Sequence, residues 1–208
     1  MERFQTDQDE VAGTDETKMI MNREEYLGAA TKSLAADVFG PAGYTVPDDV
    51  KLTCGWPSKG ATSAKKMAIG ECWPRSRSAD SVNEIFISPV QADTITVLDV
   101  LTHELVHATL DCKHGHKAPF RKIAVAVGLE GKMTSTIAGE ALTAKLEAIR
   151  DALGDYPHAE LTPPPPKEKS RQLKAECLEC GWIGYQSKKF LDKVYRCCCC
   201  PSENVRTG

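Results

Sequence analysis

Five residues constrain this chain more than any others: His103-Glu104-Leu105-Val106-His107. They sit in residues 94–111, where Leu98, Leu101, Leu105, Ala108 and Thr109 recur at helical spacing and no Pro or Gly intervenes. On a helix, residues four apart stand one above the other, so both imidazoles reach one ion. Glu104 flanks that stripe, where a carboxylate can take a proton from water activated at the metal. A metal that keeps one position open for chemistry takes three protein ligands. The third must come from downstream, and Asp111, His114, His116, Glu130 and Glu140 are the candidates. The position six after His107 is Lys113, which removes one familiar spacing. Asp111 lies a further turn along the same helix and is carried away from the ion. His114 and His116 follow the expected helix end, and Gly115 between them lets the chain turn back. Glu130, from the next helix, is the alternative geometry.

The remaining pattern predicts an α+β fold. A helix is expected from Asn22, a plausible N-cap with Glu25 three residues on, through Tyr26, Ala29, Ala30, Leu34, Val38 and Phe39 to Gly40-Pro41. Residues 50–54, 67–73 and 84–88 read as three short strands of one small antiparallel sheet. Helices are expected at 118–128 and 139–153, the latter closed by Gly154. Four prolines, Pro163–Pro166, then charged residues, mark a stiff linker. The expected organisation is a disordered tail at 1–20, a main domain at 21–155, a linker at 156–172 and a small module at 173–208. So few residues need a staple such as a metal to fold.

That module carries the staple. Cys177-Leu178-Glu179-Cys180-Gly181 is a metal knuckle, and Cys197, Cys198, Cys199 and Cys200 follow sixteen residues later. Two Cys-x-x-Cys pairs at this separation predict a structural zinc ribbon. Cys197 with Cys200 repeats the first spacing and is preferred, with 197/199 and 198/200 as alternatives. Trp182, Ile183, Tyr185, Phe190 and Tyr195 are expected to form its core. Of the remaining thiols, Cys54 and Cys72 read as reduced groups on neighbouring strands and Cys112 as filler. His158 reads as a surface residue.

The motif residues resemble a known family. His103-Glu104-Leu105-Val106-His107 followed by Gly115-His116-Lys117-Ala118-Pro119-Phe120 is similar to the SprT-like zinc metallopeptidases, which include bacterial and phage-encoded members and the Spartan proteases. The stretch from Cys54-Gly55-Trp56-Pro57 through Gly70-Glu71-Cys72-Trp73 to Glu84-Ile85-Phe86-Ile87-Ser88 shares the likeness, which covers residues 22 to 208. The resemblance implies a zincin-type active-site helix and a C-terminal ribbon. It implies His116 as third ligand, a His after a Gly with an aromatic, Phe120, four residues on. Lys117 stands where the family usually has another Gly. Two zinc ions are implied, one catalytic and one structural. So is hydrolysis of peptide bonds in protein substrates, with Glu104 as the proton acceptor.

Charge and compartment complete the expectations. Residues 1–50 carry net −7, residues 51–166 net 0 and residues 167–208 net +4. The basic end is where an anionic partner such as DNA is sought first. Lys59, Lys65, Lys66, Arg75 and Arg77, near Trp56 and Trp73, form a second candidate nucleic-acid surface. No window approaches 18 apolar residues and the start of the chain is acidic, so neither a membrane span nor a secretory signal is expected. A reducing cytoplasm follows, that of the host if the protein is phage-encoded, and there clustered cysteines bind metal. A monomer is favoured. The competing reading is a catalytically inactive module that binds nucleic acid or protein through its ribbon.

Overall fold

The computed structural model describes residues 21–58, 60, 67–163, 172–187, 196–197 and 199–207. The expected tail at 1–20, Lys59, Lys65, Lys66, Phe190, Tyr195, Cys198 and most of the proline linker lie outside the described residues. The chain divides into two compact units, residues 1–164 and 165–208. The fold is α+β.

In the first unit, α1 (Arg23–Leu34) starts at the anticipated capping box. The Glu25 amide donates to Asn22 Oδ1 at 2.9 Å, and the Asn22 amide donates to Glu25 Oε2 at 2.7 Å. The helix widens into a π-type turn at Ala35–Phe39 before Gly40. Three strands follow: β1 (Lys51–Cys54), β2 (Gly70–Trp73) and β3 (Glu84–Ile87). Their spatial order is β1-β3-β2. The expectation of an antiparallel sheet holds for β2 against β3 but not for β1, which pairs with β3 in parallel. The reason lies in β3, whose Ile85 and Ile87 are wholly buried and take the centre of the sheet. With β3 central and β2 antiparallel to it, the chain's route leaves β1 parallel on the other side.

Helix α2 (Thr94–Thr109) packs across β2 and β3. Asp93 caps it, accepting from the Thr96 amide at 2.8 Å and the Thr96 hydroxyl at 2.7 Å. Leu98, Leu101, Leu105 and Ala108 are buried against α1, α4 and the sheet, so the predicted face is the core face. The short α3 (Ala118–Ala126) has Pro119 in its first turn. A hairpin that the sequence reading did not anticipate comes next, β4 (Leu129–Lys132) against β5 (Ser135–Ala138). Helix α4 (Glu140–Leu153) buries Leu142, Leu146 and Ile149 and stops at Gly154, whose φ of 87° is open to glycine.

Residues 156–163 belong to this unit rather than to a linker. Tyr156 is buried edge-on against Tyr26, ring centroids 5.4 Å apart, and its amide donates to Thr94 Oγ1 at 3.0 Å. The Leu161 amide and His158 Nε2 both reach the Pro89 carbonyl, at 2.7 and 2.8 Å. His158, expected on the surface, is half-buried and also meets Arg23 Nη1 at 3.4 Å.

The second unit is a three-stranded antiparallel sheet of β6 (Gln172–Cys177), β7 (Ile183–Ser187) and β8 (Val205–Thr207) in the order β7-β6-β8. Within the sheet the central strand supplies the buried positions Ala175 and Cys177, and Cys197 and Ser202 outside it are buried as well. Ile183 and Tyr185, expected in its core, are 48% and 64% exposed because β7 is an edge. Among the described residues, no helix is long and apolar enough to cross a membrane.

Candidate metal centres

Three imidazoles converge above α2. His103 Nε2 and His107 Nε2 each lie 3.2 Å from His116 Nε2. Two stand one turn apart on α2, and the third arrives on a return loop. The loop is built from unusual backbone. Asp111 and Cys112 have φ of 49° and 55°, left-handed values that residues with a Cβ rarely adopt, and Gly115 follows at 50°. Asp111 is held there by its carboxylate, which accepts from the Arg75 amide at 2.9 Å and from Asn83 Nδ2 at 3.3 Å. Cys112 is held by its amide, which donates to the His107 carbonyl at 2.9 Å. The chain thus leaves α2 at a sharp angle and brings His116 back over it.

The other candidates for the third position lie elsewhere. His114 is exposed on the loop, Asp111 is engaged as above, Glu130 is on β4 and Glu140 opens α4. None of the four joins the histidine group.

The rings are supported from below and behind. Phe120 is fully buried and lies 4.9, 4.4 and 4.9 Å, centroid to centroid, from His103, His107 and His116. His103 Nδ1 sits 2.7 Å from Thr136 Oγ1 on β5. With the proton on Nδ1, Thr136 accepts it and the Nε2 lone pair faces the cluster, the arrangement that orients a metal ligand. Thr136 has no signal in the sequence, because the hairpin that presents it is not visible there. Burial holds the His103 imidazole down to about 4, helped by His116. Burial and the two neighbouring rings hold His107 down to about 3, and burial lowers His116. At neutral pH all three are therefore uncharged donors.

Glu104 reaches into the packing between α2 and β2 and is only 7% exposed. Burial pushes its carboxyl up to about 8, and Glu71 on β2 adds to the rise. The approach of β2 is close enough that a Cβ on Gly70 would meet Glu104 Oε1 at 2.6 Å and Val100 Cγ1 at 2.7 Å. The histidines and Glu104 line one cleft of about 700 Å³, with Ile69, Val100, Thr136 and Ile137 among its walls. Asp99, one turn before His103 on the same helix, also lines it, and burial pushes its carboxyl up to about 6. The i, i+4 spacing from His103 was open to view in the sequence, but Asp99 was not singled out.

The thiols near this cleft are arranged differently from the expectation. Strand β3 separates Cys54 from Cys72, and Cys72 instead meets Cys112, Sγ to Sγ at 3.2 Å. Of the basic cluster, Arg75 is engaged with Asp49, at 2.7 and 2.5 Å, and Arg77 is exposed on the turn that follows β2.

A second group lies in the other unit. Cys177, Cys180, Cys197 and Cys200 bring their sulfurs together, with Cys177–Cys200 at 3.6 Å and Cys180–Cys197 at 3.4 Å. The preferred second pair is thus the one that meets the knuckle. Gly181, at φ 72°, closes the knuckle turn by donating its amide to the Cys177 carbonyl at 3.0 Å. The amides of Cys180 and Glu179 pull the Cys177 thiol down to about 6, toward the thiolate a metal takes. Both groups are candidate metal sites. No family model, curated protein or solved structure matches the chain.

Proposed function

We propose that this chain is a zinc-dependent endopeptidase of the SprT-like kind, with a structural zinc ribbon as its second unit. One observation carries the reading: three neutral imidazole Nε2 atoms converge beside a buried carboxylate on one cleft. Zinc fits the donor sets. Tetrahedral zinc, at about 2.0–2.1 Å from nitrogen, separates its nitrogens by roughly 3.3–3.4 Å, close to the 3.2 Å here. At about 2.3 Å from sulfur it separates thiolates by roughly 3.8 Å, near the 3.4 and 3.6 Å between the cysteines. His103, His107 and His116 would hold the first ion and Cys177, Cys180, Cys197 and Cys200 the second.

Bound at the histidines, zinc would supply Lewis acidity toward water and a peptide carbonyl. The chain's own part falls to Glu104. A carboxylate that burial lifts toward neutrality is a base matched to its working pH. Glu104 would stay ionised beside an ion held by the three rings, since a nearby dication opposes that lift. Thr136 fixes the tautomer of His103, and Phe120 keeps the three rings at their common spacing. The substrate would be protein, reached in the cytoplasm, and the net +4 of residues 167–208 suits recruitment to nucleic acid.

The test is hydrolysis of unfolded and DNA-bound protein substrates by the zinc-loaded chain, with and without DNA, against Glu104→Gln. Loss of about 10²–10⁴-fold in rate with zinc content unchanged is expected for removal of a general base. Equal rates for wild type and Glu104→Gln, or no hydrolysis of any protein substrate by the loaded wild type, would overturn the reading in favour of a binding module.

A further inference from the structure

Cys72 and Cys112 line the same cleft as the histidine cluster, and neither is a ligand in the arrangement above. They come from different parts of the fold. Cys72 is on β2, on the same face that Gly70 turns toward Glu104, and Cys112 is on the return loop between His107 and His116. Their sulfurs are 3.2 Å apart, and the Cys112 thiol also lies 3.4 Å from the Cys72 carbonyl oxygen. Both side chains are half-buried and both line the cleft, so a small solute reaches them through the same opening as a substrate. A disulfide needs its sulfurs about 2.05 Å apart, so little more than 1 Å of motion separates this contact from a bond. Cys54 cannot compete, since β3 stands between β1 and β2 and its thiol lies 3.8 Å from Arg23 Nη1.

We propose that Cys72 and Cys112 form a redox modification site, in which a peroxide converts the thiol pair to a disulfide that clamps the third-histidine loop to strand β2. The chemistry balances with hydrogen peroxide as oxidant. One sulfur attacks a peroxide oxygen, giving a sulfenic acid and one water. The second sulfur then attacks the sulfenic sulfur and expels a second water, so two thiols lose two electrons and two hydrogens while the peroxide is reduced to two waters. A thiol or phosphine reductant reverses the step.

The clamp acts on a loop whose tip is exposed. Asp111 is tied to Arg75 and Asn83, but His114, Gly115 and His116 are exposed. Apart from the Cys112 amide to the His107 carbonyl, the thiol contact with Cys72 is the loop's tie at residue 112. Converting it to a covalent bond draws the two sulfurs about 1 Å closer and restrains the loop's opening motions. This inference stands on the thiol geometry and does not require the chain to be a peptidase.

The experiment uses the full metal-loaded chain, exposed to a hydrogen peroxide series, alkylated without reduction and digested with trypsin. Residues 67–75 and 78–113 are single tryptic peptides, each with one cysteine, so the Cys72–Cys112 link has one unambiguous mass. The expected result is loss of both free peptides and appearance of their cross-linked sum, reversed by a phosphine. Hydrogen exchange of amides 113–117 should slow in the oxidised chain and recover on reduction. Cys72→Ala, or Cys112→Ala if the first fails to fold, should lose both effects. Two outcomes overturn the proposal: Cys72 and Cys112 remain singly alkylated or pair with other cysteines, or the link forms and amides 113–117 exchange as fast as before. Hydrolysis rates enter neither readout, so failure here is distinct from failure of the peptidase reading.

Discussion

Replacing Gly70 with Ala tests how closely strand β2 must approach α2. One methyl group is added, and the structure says what it meets: Glu104 Oε1 at 2.6 Å, Val100 Cγ1 at 2.7 Å and Glu104 Cγ at 2.9 Å. Carbon contacts are comfortable at about 3.5–4.0 Å, so roughly 1 Å must be found. The strand cannot simply lift. Gly70 is in register with Ile87 on β3, and the Ser88 amide donates to the Ile69 carbonyl at 2.9 Å. Val100 is short, branched and buried in the helix. The motion therefore falls largely on Glu104, which must leave its place against β2. Overpacking of this kind costs about 1–3 kcal/mol, which for a chain of this size lowers the melting temperature by roughly 3–10 °C. On the proposed reading activity should fall further than stability, because the displaced group would be the proton acceptor. Gly28 supplies the control. It lies mid-helix in α1, a Cβ there meets nothing within 4 Å, and Gly28→Ala should stabilise by about 0.5–1 kcal/mol. Melting curves, zinc content and hydrolysis rates on the three proteins decide it. A Gly70→Ala protein that melts with the wild type and keeps its rate would show that the β2–α2 contact is not tight and that Glu104 does not depend on it.

Elemental analysis should find two zinc ions per chain, and one after removal of residues 165–208; a single ion that survives the truncation would sink the ribbon assignment. His116→Ala should lose the ion of the first unit, whereas His114→Ala should keep it, and the reverse result would mean that the return loop closes differently in solution. The pH dependence of the metal-free chain has opposing parts. The depressed histidines bind fewer protons folded than unfolded between about 4 and their usual 6.5, so they raise stability as pH rises through that window. Glu104, raised to about 8, binds more protons folded, so it lowers stability from its usual 4.5 up to about 8. Thermal melts across pH 4–8 should then show a fall in wild type between about 6.5 and 8 that Glu104→Gln replaces with a plateau, and a steeper rise below about 6.5 in the variant; identical profiles would refute the assigned shifts.

How much of this was legible beforehand depends on the range of the interaction concerned. The stacking of His103 on His107 follows from helix geometry alone, and the four apolar positions of α2 are buried as their spacing implies. The pairing of Cys197 and Cys200 with the knuckle is likewise a matter of repeated spacing. The direction of β1 is not local. It depends on which strand takes the centre, and that is settled by β3's buried isoleucines packing under α2 rather than by anything in residues 51–54. Residues 156–163 misled for a related reason. They precede a run of prolines, yet Tyr156 finds a buried slot between Tyr26 and the start of α2 that only the folded unit creates.

The hairpin β4–β5 shows why a motif alone underdescribes a metal site. Leu129-Glu130-Gly131-Lys132 and Ser135-Thr136-Ile137-Ala138 have little alternation, and Gly131 at φ 84° departs from ordinary strand backbone. Each strand alone is too short and too polar to announce itself. Together they place one hydroxyl 2.7 Å behind His103 and one isoleucine, 63% exposed, on the wall of the cleft. The helix can stack two imidazoles without help, but it cannot choose their tautomers. That choice needs a partner for the far nitrogen, and for His103 the partner comes from a hairpin thirty-three residues away. Two of the three candidate ligands are written in the sequence at helical spacing, and their protonation is written in the tertiary fold.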